Sequence, residues 1–209
     1  MASPSGCGKS SLIKAICKLE KCDGDIFIDD KDINSLSRNE LAKYITLVPQ
    51  NPFLIAGTIY ENICYGLDKE PSLDDVWKAI DKANLTDFIC SLPQQLETRI
   101  SEHGNNLSVD QKQIIAISRI FLRKPQILIL DEATSNLDNT SERFIQHEIE
   151  KLKIQNQMTI ISIAHRLTTL KNCDYIIVMD QGKIVEEGKY DELIDKKGIF
   201  SDMYYGKLK

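Results

Sequence analysis

Short apolar runs rich in isoleucine and valine recur along this chain, and charged segments with helical periodicity lie between them. Ile26-Phe27-Ile28 sits in an alternating stretch and predicts a strand. Ile45 to Val48 predicts another, stopped by Pro49. Ile127 to Leu130 is continuously apolar, as a strand covered on both faces should be, and Thr159 to Ala164 is similar. Tyr175 to Met179 and Lys183 to Val185 flank the turn residues Asp180-Gln181-Gly182 and predict a hairpin. Between these runs, Phe144, Ile145, Ile149 and Leu152 mark one apolar stripe on a charged helix. Asp74 to Ala83 and Gln111 to Leu122 also read as helices.

Strands alternating with helices imply an α/β fold with a mostly parallel sheet. From about Thr58 to Leu122 there are helical patterns and few strand signals, so residues 58–122 read as a helical subdomain inserted into the sheet domain. The length of 209 residues suits one domain, or one domain with a lobe. No apolar run approaches the ~18 residues that span a bilayer. A net charge of −5 argues against a dedicated nucleic-acid binder, which carries a basic face. The six cysteines form no CxxC pair and no zinc spacing with histidine, and read as reduced thiols.

Two segments carry chemistry. Ser3-Pro4-Ser5-Gly6-Cys7-Gly8-Lys9-Ser10 matches the phosphate loop G-x-x-x-x-G-K-[ST] except at its first glycine, here Ser3. Gly6 and Gly8 let backbone N–H groups curl around phosphate oxygens. Lys9 supplies a point charge for the β- and γ-phosphates, and the Ser10 hydroxyl suits Mg²⁺. A helix starting there points its positive end at the anion. The second segment, Ile127-Leu128-Ile129-Leu130-Asp131-Glu132, is an apolar strand ending in two carboxylates. An Asp in that place helps hold Mg²⁺ in phosphate-loop proteins. The adjacent Glu132 can take a proton from a water attacking the γ-phosphate.

With these two segments the sequence resembles the nucleotide-binding domain of ABC transporters, and further landmarks follow in that family's order. Val48-Pro49-Gln50 resembles the Q-loop, and Gly57-Thr58-Ile59-Tyr60-Glu61-Asn62-Ile63 a stretch typical of exporter cassettes. Ser101-Glu102-His103-Gly104 sits where exporters carry a loop that touches coupling helices. Leu107-Ser108-Val109-Asp110-Gln111 takes the place of the signature LSGGQ, Ser135-Asn136-Leu137-Asp138 that of the D-loop, and His165 that of the H-loop histidine. Ser108 and Gln111 also form a Ser-x-x-Gln capping box opening a helix.

The resemblance implies a phosphate-loop NTPase fold over residues 1–209 that binds ATP and Mg²⁺. It implies nucleotide contacts from Ser5, Gly6, Cys7, Gly8, Lys9, Ser10 and Ser11, and from Ser108, Gln111 and Asp138 in the sandwich of two cassettes. It places Ser10, Gln50 and Asp131 on the metal, and Glu132, His165 and Gln50 at the reaction. The expected partners are a transmembrane domain and a second nucleotide-binding domain, identical or not, at the cytoplasmic face of a membrane. His103, His147, Trp77 and Tyr60 read as surface or packing residues.

Three departures from the pattern stand out. The chain starts almost inside the phosphate loop, without the strands and the adenine-stacking aromatic that precede it in the family, so a truncated chain with an exposed inner sheet edge is expected. Ser3 stands where the loop has glycine. Val109 and Asp110 replace both signature glycines, and Ile114 an arginine common soon after. These leave two rival readings beside a working exporter cassette. One is a nucleotide-binding partner of low turnover in an asymmetric transporter, which the altered signature favours. The other is a non-transport ABC ATPase acting on DNA or ribosomes, which the acidic balance and the exporter-like stretch oppose.

Overall fold

The computed structural model describes residues 1–2, 7–163 and 167–207. Along the chain, helix α1 (Lys9–Ile16) starts on Gly8, whose φ of 99° lies where a side chain is strained. A short antiparallel ribbon follows, β1 (Phe27–Ile28) and β2 (Lys31–Asp32). Helix α2 (Arg38–Tyr44) opens on a Ser37/Glu40 capping box and runs directly into strand β3 (Ile45–Val48). Strand β4 (Gly57–Thr58) leads into α3 (Ile59–Ile63), which opens on a second box, Thr58/Glu61. Helices α4 (Leu73–Lys82) and α5 (Thr86–Ser91) follow, then strand β5 (Arg99–Ile100), antiparallel to β4. Next come α6 (Val109–Arg123), β6 (Ile127–Asp131), α7 (Asn139–Asn156) and β7 (Thr159–Ile163). The chain ends in the hairpin β8 (Ile176–Asp180) and β9 (Lys183–Gly188), then α8 (Tyr190–Asp195) and α9 (Ile199–Tyr204).

The chain divides into two compact units, Met1–Ile45 with Ile161–Lys209, and Thr46–Ile160. One three-stranded sheet is ordered β3-β6-β7, so the strand ending in Asp131 is central in it. This is the parallel arrangement expected of the α/β class, since sequential strands separated by helices pair in one direction. Ile115, Ile117 and Ile120 of α6 pack with Ile59 and Ile63 of α3 and with Val76 and Ile80 of α4, all fully or almost fully buried. Trp77 and Tyr60 pack against this core, as read from the sequence. The α7 stripe holds at Ile145, Ile149 and Leu152, but Phe144 lies outside it and is 40% exposed. The side chains at 145, 149 and 152 repeat at helical spacing; position 144 is a residue out of phase with them.

In the first unit, Leu170, Ile176, Val178, Leu193 and Phe200 form a separate small core that includes Ala2. Met1 and Ala2 run alongside β8: Ala2 pairs with Val178 in parallel, its N–H donates to Ile177 O, and its carbonyl accepts from the Met179 N–H, each at 3.0 Å. The Met1 amino group donates to Ser162 O. The two residues before the phosphate loop are thus held as a strand would be. Glu186 of β9 accepts from the N–H groups of Ile199 and Phe200, fixing the start of α9. Among the described residues the cysteines form no disulfide.

Candidate functional site

The phosphate-loop segment lies in the first unit. Ser5 and Gly6, with Ser3 and Pro4, fall outside the described residues, as does His165. Cys7 is buried and its carbonyl accepts from the Gly182 N–H at 3.0 Å. The β8–β9 turn therefore holds the backbone at Cys7, and Gly182 is left-handed at φ 75° to make that turn. Gly8 passes directly into α1, where Lys9 is half-buried and Ser10 and Ser11 are exposed. The helix has no acidic residue in its first turn, and its cap residue Gly8 offers no side chain. Its N–H donors and the Lys9 and Ser10 side chains are the groups an anion needs.

The remaining candidates described lie in the second unit. β6 delivers Asp131 at its last position and Glu132 immediately beyond. Glu132 is left-handed, at φ 51°. A non-glycine residue there costs about 1–3 kcal/mol and persists only where its surroundings hold it. Two contacts do so: the Ser135 N–H donates to its carbonyl at 3.1 Å, and Gln50 Nε2 donates to its Oε2 at 2.9 Å. Gln50 follows β3, the strand beside β6, so the two side chains meet although 82 residues separate them in sequence. The bond uses the amide nitrogen of Gln50 and leaves its amide oxygen able to accept or to ligate.

No group of three or more His, Cys, Asp or Glu among the described residues could hold a metal alone. That fits Mg²⁺, which is bound through one or two protein oxygens and completes its shell with water and substrate phosphates. Within this unit, the Asp131 carboxylate and the Gln50 amide oxygen are hard oxygen donors of the right kind.

Ser108 and Gln111 form the capping box read from the sequence. The Ser108 Oγ accepts from the Gln111 N–H at 3.2 Å, and Gln111 Oε1 accepts from the Ser108 N–H at 3.0 Å. Val109 and Asp110 follow on the exposed first turn of α6, with Val109 55% exposed. Ile114, in the arginine position, is buried in the core of this unit. Asp138 is the N-cap of α7, accepting from the N–H groups of Thr140 and Ser141 at 2.9 and 3.0 Å. The Ser141 hydrogen bonds hold its carboxyl below the usual aspartate range.

Three polar residues that sequence reasoning missed support this unit. Asn62, fully buried, accepts from the Ile55 N–H and donates to the carbonyls of Ile55 and Thr58. Arg119 donates to the carbonyls of Asn62 and Phe53, and burial lowers its pKa to about 10, so it stays charged at neutral pH. Gln113, fully buried, donates to Pro49 O. The signal available was polarity on an apolar face: Asn62 stands beside Ile63, Gln113 before Ile114-Ile115, and Arg119 before Ile120.

Known proteins resemble this chain in sequence and in fold. Residues 2–135 match the family described as ABC transporter. The chain is 45% identical over its whole length to multidrug resistance protein 1 of Entamoeba histolytica, of which it covers 16%. It is 43% identical over 97% of its length to the ABC multidrug transporter mdr1 of Aspergillus fumigatus, covering 15% of that protein. Among solved structures, a bacterial Atm1-family ABC exporter with ATP bound matches 99% of the chain at a TM-score of 0.92 and 36% identity, over 36% of that chain. The chain belongs to the ABC transporter family and is an ATPase domain of that family. It spans about one sixth of the length of these curated relatives.

Proposed function

We propose that this cassette binds MgATP and hydrolyses it to drive a transmembrane partner in an exporter. The observation that carries the reading is the 2.9 Å bond between Gln50 and Glu132 at the end of β6. It joins an amide and a carboxylate, the orienting group and the base that a water attacking a γ-phosphate would need. Lys9, Ser10 and the α1 N-terminus would bind the phosphates. Asp131, with the Gln50 amide oxygen and the Ser10 hydroxyl, would hold Mg²⁺, which when bound draws charge from the phosphate oxygens. Glu132 would accept the proton of the water as its oxygen bonds to phosphorus, and the ADP oxygen would leave on the opposite side. His165 would contact the γ-phosphate. Ser5, Gly6, Cys7 and Gly8 would line the loop, and Ser108, Gln111 and Asp138 would meet nucleotide bound to a second cassette. The ATP-bound exporter and the multidrug transporters support an export role and a position at a membrane.

The test is single-turnover phosphate release with a competent partner cassette, comparing the parent with Glu132→Gln. The amide keeps shape and loses basicity, so the rate should fall about 10²–10⁴-fold while ATP binding persists. An unchanged rate removes Glu132 from the mechanism.

A second reading rests on Val109 and Asp110. They stand exposed on the first turn of α6, where the signature would face a partner's nucleotide. A β-branched side chain and a carboxylate both oppose close approach to phosphate. We infer that an ATP site completed by this segment closes weakly, and that a heterodimer could keep its other site competent.

A further inference from the structure

Gln113 is a buried polar residue of the second unit whose side-chain amide is only partly satisfied. It lies on the buried face of α6 and has no solvent exposure. Its Nε2 donates to Pro49 O across 3.4 Å, beyond the ordinary range for such a bond. Its Oε1 is buried and has no hydrogen-bond partner among the described residues. An unsatisfied buried acceptor is costly, while an apolar residue of the same shape at such a site is often neutral or stabilising. The amide therefore weakens the core it sits in. What it reaches is the backbone immediately before Gln50, whose side chain in turn holds Glu132.

We propose that Gln113 is a positioning residue that ties α6, the helix opened by the signature segment, to the Gln50–Glu132 pair. The link has three steps: Gln113 to the Pro49 carbonyl, Pro49 to Gln50 along the chain, and Gln50 to Glu132. Each lies within the second unit. A bond at the limit of its range breaks or tightens with a shift of a few tenths of an ångström, and the idle Oε1 leaves the amide unlocked from its other end. The segment Val48–Gln50 and the first turns of α6 thus respond to each other. The inference rests on the ATPase reading, because it gives Gln50 a ligand to respond to.

The experiment compares the full chain with Gln113→Met, which keeps the shape and removes the amide, and Gln113→Asn, which keeps the amide and loses the reach. Thermal unfolding and amide hydrogen exchange are measured with and without MgATP. In the parent, MgATP should change exchange at residues 50–52 and at residues 109–113 together. In both variants the change at 109–113 should shrink several-fold while that at 50–52 persists, and Gln113→Met should melt no lower than the parent. A parent-like response at 109–113 in both variants overturns the link. A large drop in the melting temperature of Gln113→Met overturns it too, since the amide would then be kept for stability. No response to MgATP anywhere in the parent overturns the ATPase reading, and the link with it.

Discussion

Two corners of the second unit carry family landmarks, and they are built differently. At the end of β6, Gln50 and Glu132 are held to each other by a tertiary contact, and Glu132 has a strained backbone. At the start of α6, Ser108 and Gln111 are bound to each other's backbone within one turn. The first corner exists only because β3 and β6 are neighbours in the sheet. The second would form in almost any helix with that sequence. Polar side chains in the first corner retain capacity for a ligand, through the Gln50 amide oxygen. In the second, much of that capacity serves the cap, and the outward residues are an apolar side chain and a carboxylate. A family landmark can therefore rest on a tertiary contact or on a helix start, and only the packing tells them apart.

The comparison can be broken first through the support of the tertiary corner. Asn62→Ala should cost about 3 kcal/mol or more, because the Ile55 and Thr58 backbone groups and the Arg119 guanidinium lose a buried partner. Chemical denaturation measures this, and a loss below 1 kcal/mol would remove Asn62 from the framework. Replacing both Val109 and Asp110 by glycine tests the second corner. Two unit charges ~5 Å apart at an effective dielectric of ~20 repel by about 3 kcal/mol, before Mg²⁺ and salt reduce it. ATP-dependent dimerisation and turnover should both rise, by up to about 100-fold on that arithmetic. No change in either means that this turn does not meet nucleotide.

Smaller effects sharpen the contrast. Ser108→Ala should cost about 0.5–2 kcal/mol of stability, the range for losing an N-cap. The same technique detects it, and an unaltered midpoint would show the cap to be idle. Asp138 has a lowered native pKa, so its capping contribution is full above the ordinary aspartate value near 4 and is lost as pH falls through the lower native value. Asp138→Asn should keep most of the cap and flatten the acid limb of the stability profile. An identical limb in both proteins would assign the pH dependence to other carboxylates.

Much of this was legible from residue order because it depends on local physics. The continuous apolar run at 127–130 and the carboxylates after it define β6 and its tip. Ser108-x-x-Gln111 predicted its own cap, and Asp180-Gln181-Gly182 its own turn. Ser37-x-x-Glu40 and Thr58-x-x-Glu61 carried the same capping signal and mark α2 and α3, short helices that periodicity alone passes over. The stripe on α7 was read one residue too wide at Phe144, although its place one residue before Ile145 already puts it out of phase with 145, 149 and 152. What sequence could not reveal was partnership across the fold. Nothing in the neighbours of Gln50 announces Glu132, and Gln113, Asn62 and Arg119 become intelligible only when the carbonyls they meet are in place.

The central claim is that Gln50 and Glu132 act as one unit on ATP. It is tested most directly by single-turnover phosphate release in Gln50→Ala, Glu132→Gln and the double variant, beside the parent. Groups that act together lose their effect together. The double variant should be about as slow as the slower single variant, within a few-fold. If the two losses multiply, the bond at the end of β6 is a resting contact and the two residues serve the reaction separately.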